Sequence, residues 1–200
     1  HASGVLEKSL IGGGAKSLWA IIARDISPQY AAVCMQRIAK VSTRFLMNRG
    51  FSIGITDVTP DDHLTEEKQK VISESYGLCN TEIDKFVRGV LEPAPGQTTA
   101  QTLEGFLNNE LSNIREAIGK ICRMNLSNIN TPLVMAKSGA KGSDINLCQM
   151  IACVGQQSVS GQRIQDDFID RTTPHFKHGS RDPVAKGFIA SSFFTGLTPA

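Results

Sequence analysis

The sequence predicts an α+β fold that is mostly α: a packed helical base with short strands, carrying a long antiparallel helical hairpin. Two apolar seams predict the hairpin. Ile72, Tyr76, Cys79, Ile83, Phe86 and Val90 alternate steps of four and three, and so do Leu103, Leu107, Leu111, Ile114, Ile118 and Ile121 apart from their opening step. That spacing puts each set on one face of a helix. Between the seams lies Glu92-Pro93-Ala94-Pro95-Gly96-Gln97, through which no helix continues. The third observation is a loop-rich tail from Gln165 onward. The organisation that follows is a base over residues 1–60, the hairpin over 61–130 and a final segment over 131–200, all parts of one contiguous piece.

In chain order, Gly12-Gly13-Gly14 is a flexible turn. With Ala15, Lys16 and Ser17 it looks like the tail of a phosphate-binding loop, but the required Gly-Lys-Ser/Thr ending is missing. Lys16 to Asp25 reads as a helix packing Leu18, Trp19, Ile21 and Ile22. Ser27-Pro28 is a helix start, with Ser as cap and Pro in the first turn. That helix is expected to reach about Asn48, with Ala31, Met35, Ile38, Phe45 and Leu46 on its inner side. Arg37, Lys40 and Arg44 share another side, which reads either as a solvated face or as one turned to a partner. Gly50 to Val58 reads as a short strand or extended segment. In the hairpin, Thr98 or Thr99 caps the second helix, with Glu104 near its first turns. Glu66, Glu67, Glu74, Lys85 and Lys120 mark its outer faces. The seams suit coiled-coil-like packing. A plain helical hairpin inside a bundle has the same signature.

Composition narrows the function classes. A net charge of +2 is too small to argue nucleic-acid binding by itself. No apolar run approaches the roughly 18 residues of a membrane helix, so no membrane partner is expected. Five cysteines, with no Cys-x-x-Cys pair, argue against disulfides and zinc and for a reducing compartment. His175 and His178 stand three apart, but no cysteine or carboxylate completes a ligand set, so no metal site is expected.

The most informative run is Ser138 to Ile164. Ser138-Gly139-Ala140 is a turn of small residues, followed by Lys141 and Gly142. Such a turn allows close backbone approach and leaves an ammonium free to reach an anion. Ile145 to Val154 then reads as a largely buried helix, closed by Gly155-Gln156-Gln157. Where a catalytic site would show Asp, Glu or His, this turn has two neutral amides. The segment reads as built to position and contact a partner, and no catalytic residue is expected in this chain.

The motifs SGAKGS (138–143), GQQSVSGQR (155–163), DRTTPHF (170–176) and KGFIASSFFTGLTP (186–199), in this order, resemble the largest subunit of multisubunit DNA-directed RNA polymerases. The resembling part is the pore and funnel region just before the bridge helix. NRGFSIGITDVTP (48–60) matches an upstream segment of that family. FSIGITDVTP and HFKHGSRDPVAKGF look most like RNA polymerase III.

The resemblance implies an excised piece of a much larger subunit, with His1-Ala2 as an expression remnant and the bridge helix starting after Ala200. It also implies a nuclear, DNA-templated nucleotidyltransferase as parent. Its Mg²⁺ sits on an Asp-rich loop for which this sequence has no counterpart, so no cofactor is expected in this chain. The hairpin would be the funnel helices around the secondary channel, where NTPs enter and a transcript-cleavage factor or subunit gains access. The implied partners are the other polymerase subunits, that factor, NTPs, and DNA and RNA through the parent complex.

The same resemblance places Lys141 on the NTP path, against its reading as a solvated lysine. Contacts to the bridge helix and to a cyclic-peptide toxin pocket fall to Arg115, Ile145, Gln149, Gln156, Gln157, Ser158 and Arg163. Gln156 and Gln157 otherwise read as a simple helix-ending turn. Arg163 reads as a pin between segments or as a surface arginine. Two rival functions stand beside this one: a non-catalytic interaction module that docks a partner on its hairpin with no nucleotide contact, and an independent phosphate-binding enzyme built on Lys141 or Lys16. The lack of an acid–base cluster counts against the last.

Overall fold

The computed structural model describes residues 5–199; His1 and Ala2, read above as a remnant, lie outside them. Among the described residues the order is α1 (Lys8–Ile11), α2 (Leu18–Asp25), α3 (Pro28–Arg49), α4 (Asp62–Val87), α5 (Thr99–Asn125), α6 (Thr131–Ser138), α7 (Asp144–Ile151), β1 (Gly155–Gln156), β2 (Ser158–Val159), β3 (Gln162–Arg163) and β4 (Phe188–Ile189). The predicted class, α+β and mostly α, is the class observed. The chain forms two units. One holds the residues up to Asp57 and Ser127–Ser143, the other Val58–Leu126 and Asp144 onward.

In the first unit, side-chain caps start α2, α3 and α6. Ser17 accepts from Ala20 N at the head of α2, and Ser27 accepts from Tyr30 N at the head of α3, where Pro28 fills the first turn. Trp19 Nε1 donates to Ile11 O at 2.8 Å and ties α2 to the end of α1. Helix α3 has the predicted length, but not the predicted inner face. Only Ala31 is buried, while Met35, Phe45 and Leu46 are exposed. One short neighbouring helix cannot cover a helix of 22 residues. The segment after Gly50 is extended and closes in a 3-10 turn at Ile55–Asp57, with no ladder partner among the described residues. Asp57 holds that turn through Gly54 N, at 2.8 Å. A further helix, α6, follows at Thr131–Ser138, with Pro132 in its first turn. Asn130 is its cap, accepting from Leu133 N at 3.0 Å, and its Nδ2 donates to Asp57 O at 2.7 Å.

The second unit is built on the hairpin. His63 meets Asn125, Ser75 meets Glu110 and Ala94 meets Thr102, so α4 and α5 run antiparallel. Their seam buries Leu64, Ile72 and Cys79 against Leu103, Leu107, Leu111, Ile114, Ile118 and Cys122. Burying leucine- or isoleucine-sized side chains is worth roughly 1.5–3 kcal/mol each, which is what holds two long helices together. Ile83 and Phe86 are half-buried and Val90 lies past the helix end, so the α4 seam loosens toward the tip. Thr98 caps α5 in a reciprocal box with Gln101, which leaves Glu104 free for another role.

At the other end of the hairpin, α7 and β1 pack on α5 through Leu147, Cys148 and Ile151. Lys68 on α4 donates to Ala152 O at 2.9 Å and closes the end of α7. Strand β1 pairs antiparallel with β4, Gly155 opposite Ile189 and Gln156 opposite Phe188. Strands β2 and β3 form a two-residue hairpin whose turn, Ser160-Gly161, has φ of 51° and 77°. Two positive φ values are what the right-handed twist of a tight hairpin requires. Phe188 sets its ring edge-on to Tyr76 at 5.7 Å, which anchors the returning tail on α4.

Candidate functional site

Lys141 belongs to the first unit. Helix α6 ends at Gly139, whose φ of 73° is left-handed, with its N–H donating to Ala136 O and Met135 O. A Cβ at Gly139 would lie 2.6 Å from Lys8 Cβ, so this position needs glycine for space as well as for conformation. Gly142 also has a positive φ, at 79°. The turn between these glycines presents Lys141 exposed, with no ion pair or hydrogen bond among the described residues. An ammonium held this way is available to an anion and costs the fold nothing to use.

The other predicted residues belong to the second unit, where they fall into two groups. Arg115 on α5 and Ile145 on α7 line one groove of about 340 Å³ with Glu116, Gly119, Lys120, Arg123, Asp144 and Cys148. Arg123 and Asp144 pair across it at 3.0 Å. The aliphatic part of Arg115 packs under Gly155: a Cβ there would lie 3.2 Å from Arg115 Cδ, and Gly155 has φ of 81°. Gln149 is half-buried on α7, and its carbonyl accepts from Phe193 N at 3.0 Å.

The second group is the β1–β3 turn region. Gln156 is buried, its Nε2 donating to Lys186 O at 2.8 Å and to Gln157 O at 2.6 Å. Its Oε1 is buried without a partner among the described residues. Gln157 is exposed, yet its N–H donates to Gly187 O at 2.9 Å, so the backbone is fixed while the side chain is presented. Ser158 is exposed on β2. Arg163 has only 1% of its side chain exposed. It binds Glu104 Oε2 at 3.2 Å through Nη1, and the carbonyls of Arg181 and Asp182 at 3.3 and 3.1 Å through Nη2. Burial pulls the Arg163 pKa down, and Glu104 opposes that pull.

Sequence reasoning missed the partners. Glu104 accepts from Arg181 as well as from Arg163, the Arg181 bond being 3.1 Å long. The Arg181 guanidinium also lies 4.8 Å from the centre of the Phe86 ring. Lys186 is nearly buried, and its ammonium reaches Asp166 at 2.8 Å. No local pattern joins positions 59 to 77 residues apart. The Ser-Gly pair after Val159 was the one readable sign, since it marks a hairpin that returns Arg163 toward β2. His175 Nδ1 meets Thr173 Oγ1, and His178 meets Arg171. Among the described residues no three His, Cys, Asp or Glu side chains are placed to hold a metal ion. No described helix is long and apolar enough to cross a membrane.

A family model described as RNA polymerase Rpb1, domain 4, matches residues 83–189. The chain belongs to that family. A second model, RNA polymerase Rpb1, domain 3, matches residues 1–58. DNA-directed RNA polymerase III subunit RPC1 of Saccharomyces cerevisiae is 49% identical over 198 residues, 98% of this chain and 14% of that protein. The RNA polymerase III subunit rpc1 of Dictyostelium discoideum is 48% identical over 197 residues, with the same two shares. The human subunit is 46% identical over 198 residues, again 98% and 14%. The chain thus spans about a seventh of the length of the curated relatives it matches. All three relatives are of the polymerase III class that the motifs around residues 51–60 and 175–188 indicated. Lys141 and every other predicted site residue fall inside the Rpb1 domain 4 match.

Proposed function

We propose that this chain is the funnel and pore part of the largest subunit of an RNA polymerase III-like enzyme, lining the channel by which NTPs reach a DNA-templated, nuclear nucleotidyltransferase. The observation that carries the reading is 46–49% identity to RNA polymerase III subunits over 98% of the chain. The geometry agrees with a supporting role. The chain offers an unpaired lysine on a glycine-framed turn and an exposed pair, Gln157 and Ser158, on a fixed backbone. The described residues do not fit a catalytic Mg²⁺, which needs several converging oxygens, and the metal is assigned to another part of the parent enzyme.

In this reading Lys141 holds an NTP phosphate as a point charge during approach. Arg115, Ile145 and Gln149 on one side, and Gln156, Gln157 and Ser158 on the other, meet the bridge helix and form the cyclic-peptide toxin pocket. Arg163 fixes the second group from behind. The outer face of the α4–α5 hairpin takes the transcript-cleavage factor or subunit. Other polymerase subunits cover further surface, and DNA and RNA are reached only through them.

The test is single-nucleotide addition by the assembled polymerase against NTP concentration. Lys141→Ala should raise the half-saturating NTP concentration about ten-fold, the effect of one lost charge-assisted contact, at unchanged assembly. Lys141→Arg should recover part of it. Unchanged kinetics for Lys141→Ala would remove Lys141 from the NTP path.

A further inference from the structure

We propose that Glu104, Arg163 and Arg181 form a clasp that ties the tip-proximal end of the hairpin to the backbone carrying Gln156, and that Arg181 is a positioning residue for the Gln156 turn. The proposal rests on the reading that this turn meets the bridge helix. Each link is a named contact. Glu104, six residues past the Thr98 cap of α5, accepts Arg163 Nη1 at 3.2 Å and Arg181 Nη1 at 3.1 Å. Arg181 also stacks on Phe86 of α4, so a single side chain touches both helices of the hairpin. Arg163 Nη2 grips the carbonyls of Arg181 and Asp182 from the other side.

From Asp182 the path to Gln156 is short and stiff. Pro183 O accepts from Lys186 N and Phe188 N, closing a 3-10 turn at Val184–Lys186. Lys186 O then accepts Gln156 Nε2, Gly187 O accepts Gln157 N, and Phe188 pairs with Gln156 across the β1–β4 ladder. Gly187, at φ 92°, closes this turn against Ile164, whose Cδ1 lies 2.6 Å from where a Cβ would stand. A displacement of the hairpin tip therefore pulls on Arg181, and Arg181 pulls on a segment whose next fixed points are the carbonyls that hold Gln156 and Gln157.

The charges decide which residue can be removed cleanly. One carboxylate faces two guanidiniums. Removing Glu104 leaves two close cations, and removing Arg163 leaves a void in the core. Removing Arg181 leaves Arg163 and Glu104 still paired. Arg181→Ala therefore removes the arm of the clasp that reaches Phe86 and α4, leaves the Arg163 arm in place, and orphans no buried charge.

The experiment compares Arg181→Ala and Arg181→Lys with the unaltered enzyme in the assembled polymerase, by amide hydrogen exchange and by single-nucleotide addition. For Arg181→Ala, exchange at residues 155–157 and 186–188 should rise about ten-fold, while the seam residues 107–118 stay protected. The addition rate at saturating NTP should fall several-fold at unchanged half-saturation, because Arg181 acts on geometry and touches no phosphate. Lys keeps a charge facing Glu104 but loses the guanidinium contact with the Phe86 ring, so it should restore part of both signals. Unchanged exchange at 155–157, or raised exchange with an unaltered saturating rate, would overturn the proposal. The Lys141→Ala result separates the two readings: if it leaves kinetics unchanged while Arg181→Ala lowers the rate, the phosphate contact fails and the clasp stands.

Discussion

Replacing glycine by alanine at two positions of the second unit should move stability in opposite directions. Gly155 stands at φ 81°, and a Cβ there would meet Arg115 Cδ at 3.2 Å and Arg115 Cβ and Cγ at 3.3 Å. The left-handed backbone alone costs an L-residue about 1–2 kcal/mol. The outer part of Arg115 can swing away, but its Cβ is fixed to α5, so the contact adds further strain. The expected loss for Gly155→Ala is about 2–3 kcal/mol. Gly77 is the reverse case. It lies inside α4 and is exposed, and a Cβ there would meet nothing within 4 Å. Alanine removes backbone freedom from the unfolded chain and should stabilise by about 0.5–1 kcal/mol. Both residues belong to one unit, so urea unfolding followed by helix circular dichroism compares them within one transition. With an m-value of roughly 1–3 kcal/mol/M, the two midpoints should separate by about 1 M or more. Equal stability of Gly155→Ala and the parent chain would refute the packing of Arg115 under β1. A destabilising Gly77→Ala would refute the open face of α4.

Thiol labelling and acid titration give two further tests. Burial pushes the Cys122 thiol up to about 12, those of Cys79 and Cys153 up to about 11, and that of Cys148 in the same direction. At neutral pH a disulfide reagent should therefore label the half-buried Cys34 quickly and the other four only on unfolding; rapid labelling of two or more would contradict the packed seam. The Asp57 carboxylate is held below its ordinary range, first by Gly54 N and then by Thr131. A lowered folded-state pKa means stability that is present above the unfolded value and lost as pH falls through the folded one. Asp57→Asn should thus narrow the stability gap between neutral pH and the region below about pH 4, read as the change in urea midpoint. An identical gap in the variant would show that Asp57 does not hold the Gly54 turn.

What the sequence disclosed, and what it hid, divides by the range of the interaction. The α4–α5 seam was readable because helical periodicity is local, and nearly every residue it singled out is buried or half-buried. The cap at Ser27-Pro28 was readable for the same reason. Helix α6 is less plain in sequence, because Thr131-Pro132 has the look of a turn, yet Pro is tolerated in a first turn and Asn130 is a strong cap. The failure at α3 is of another kind. Its period is helical and the helix forms, but periodicity reports which face is apolar, not what lies against it. Phe45, at 60% exposure, is correctly on the apolar side and still uncovered. In the candidate site, Lys141 and Gln156 drew notice because their local contexts are unusual. Glu104, Arg181 and Lys186 did not, since in sequence they look like ordinary surface charges. Their placement follows from a returning tail that meets α5 across as many as 77 residues of chain, and no window of sequence contains that contact. Such contacts decide where the amides of the Gln156 turn point, so the residues that set this region's geometry are the ones that motif reading is least equipped to find.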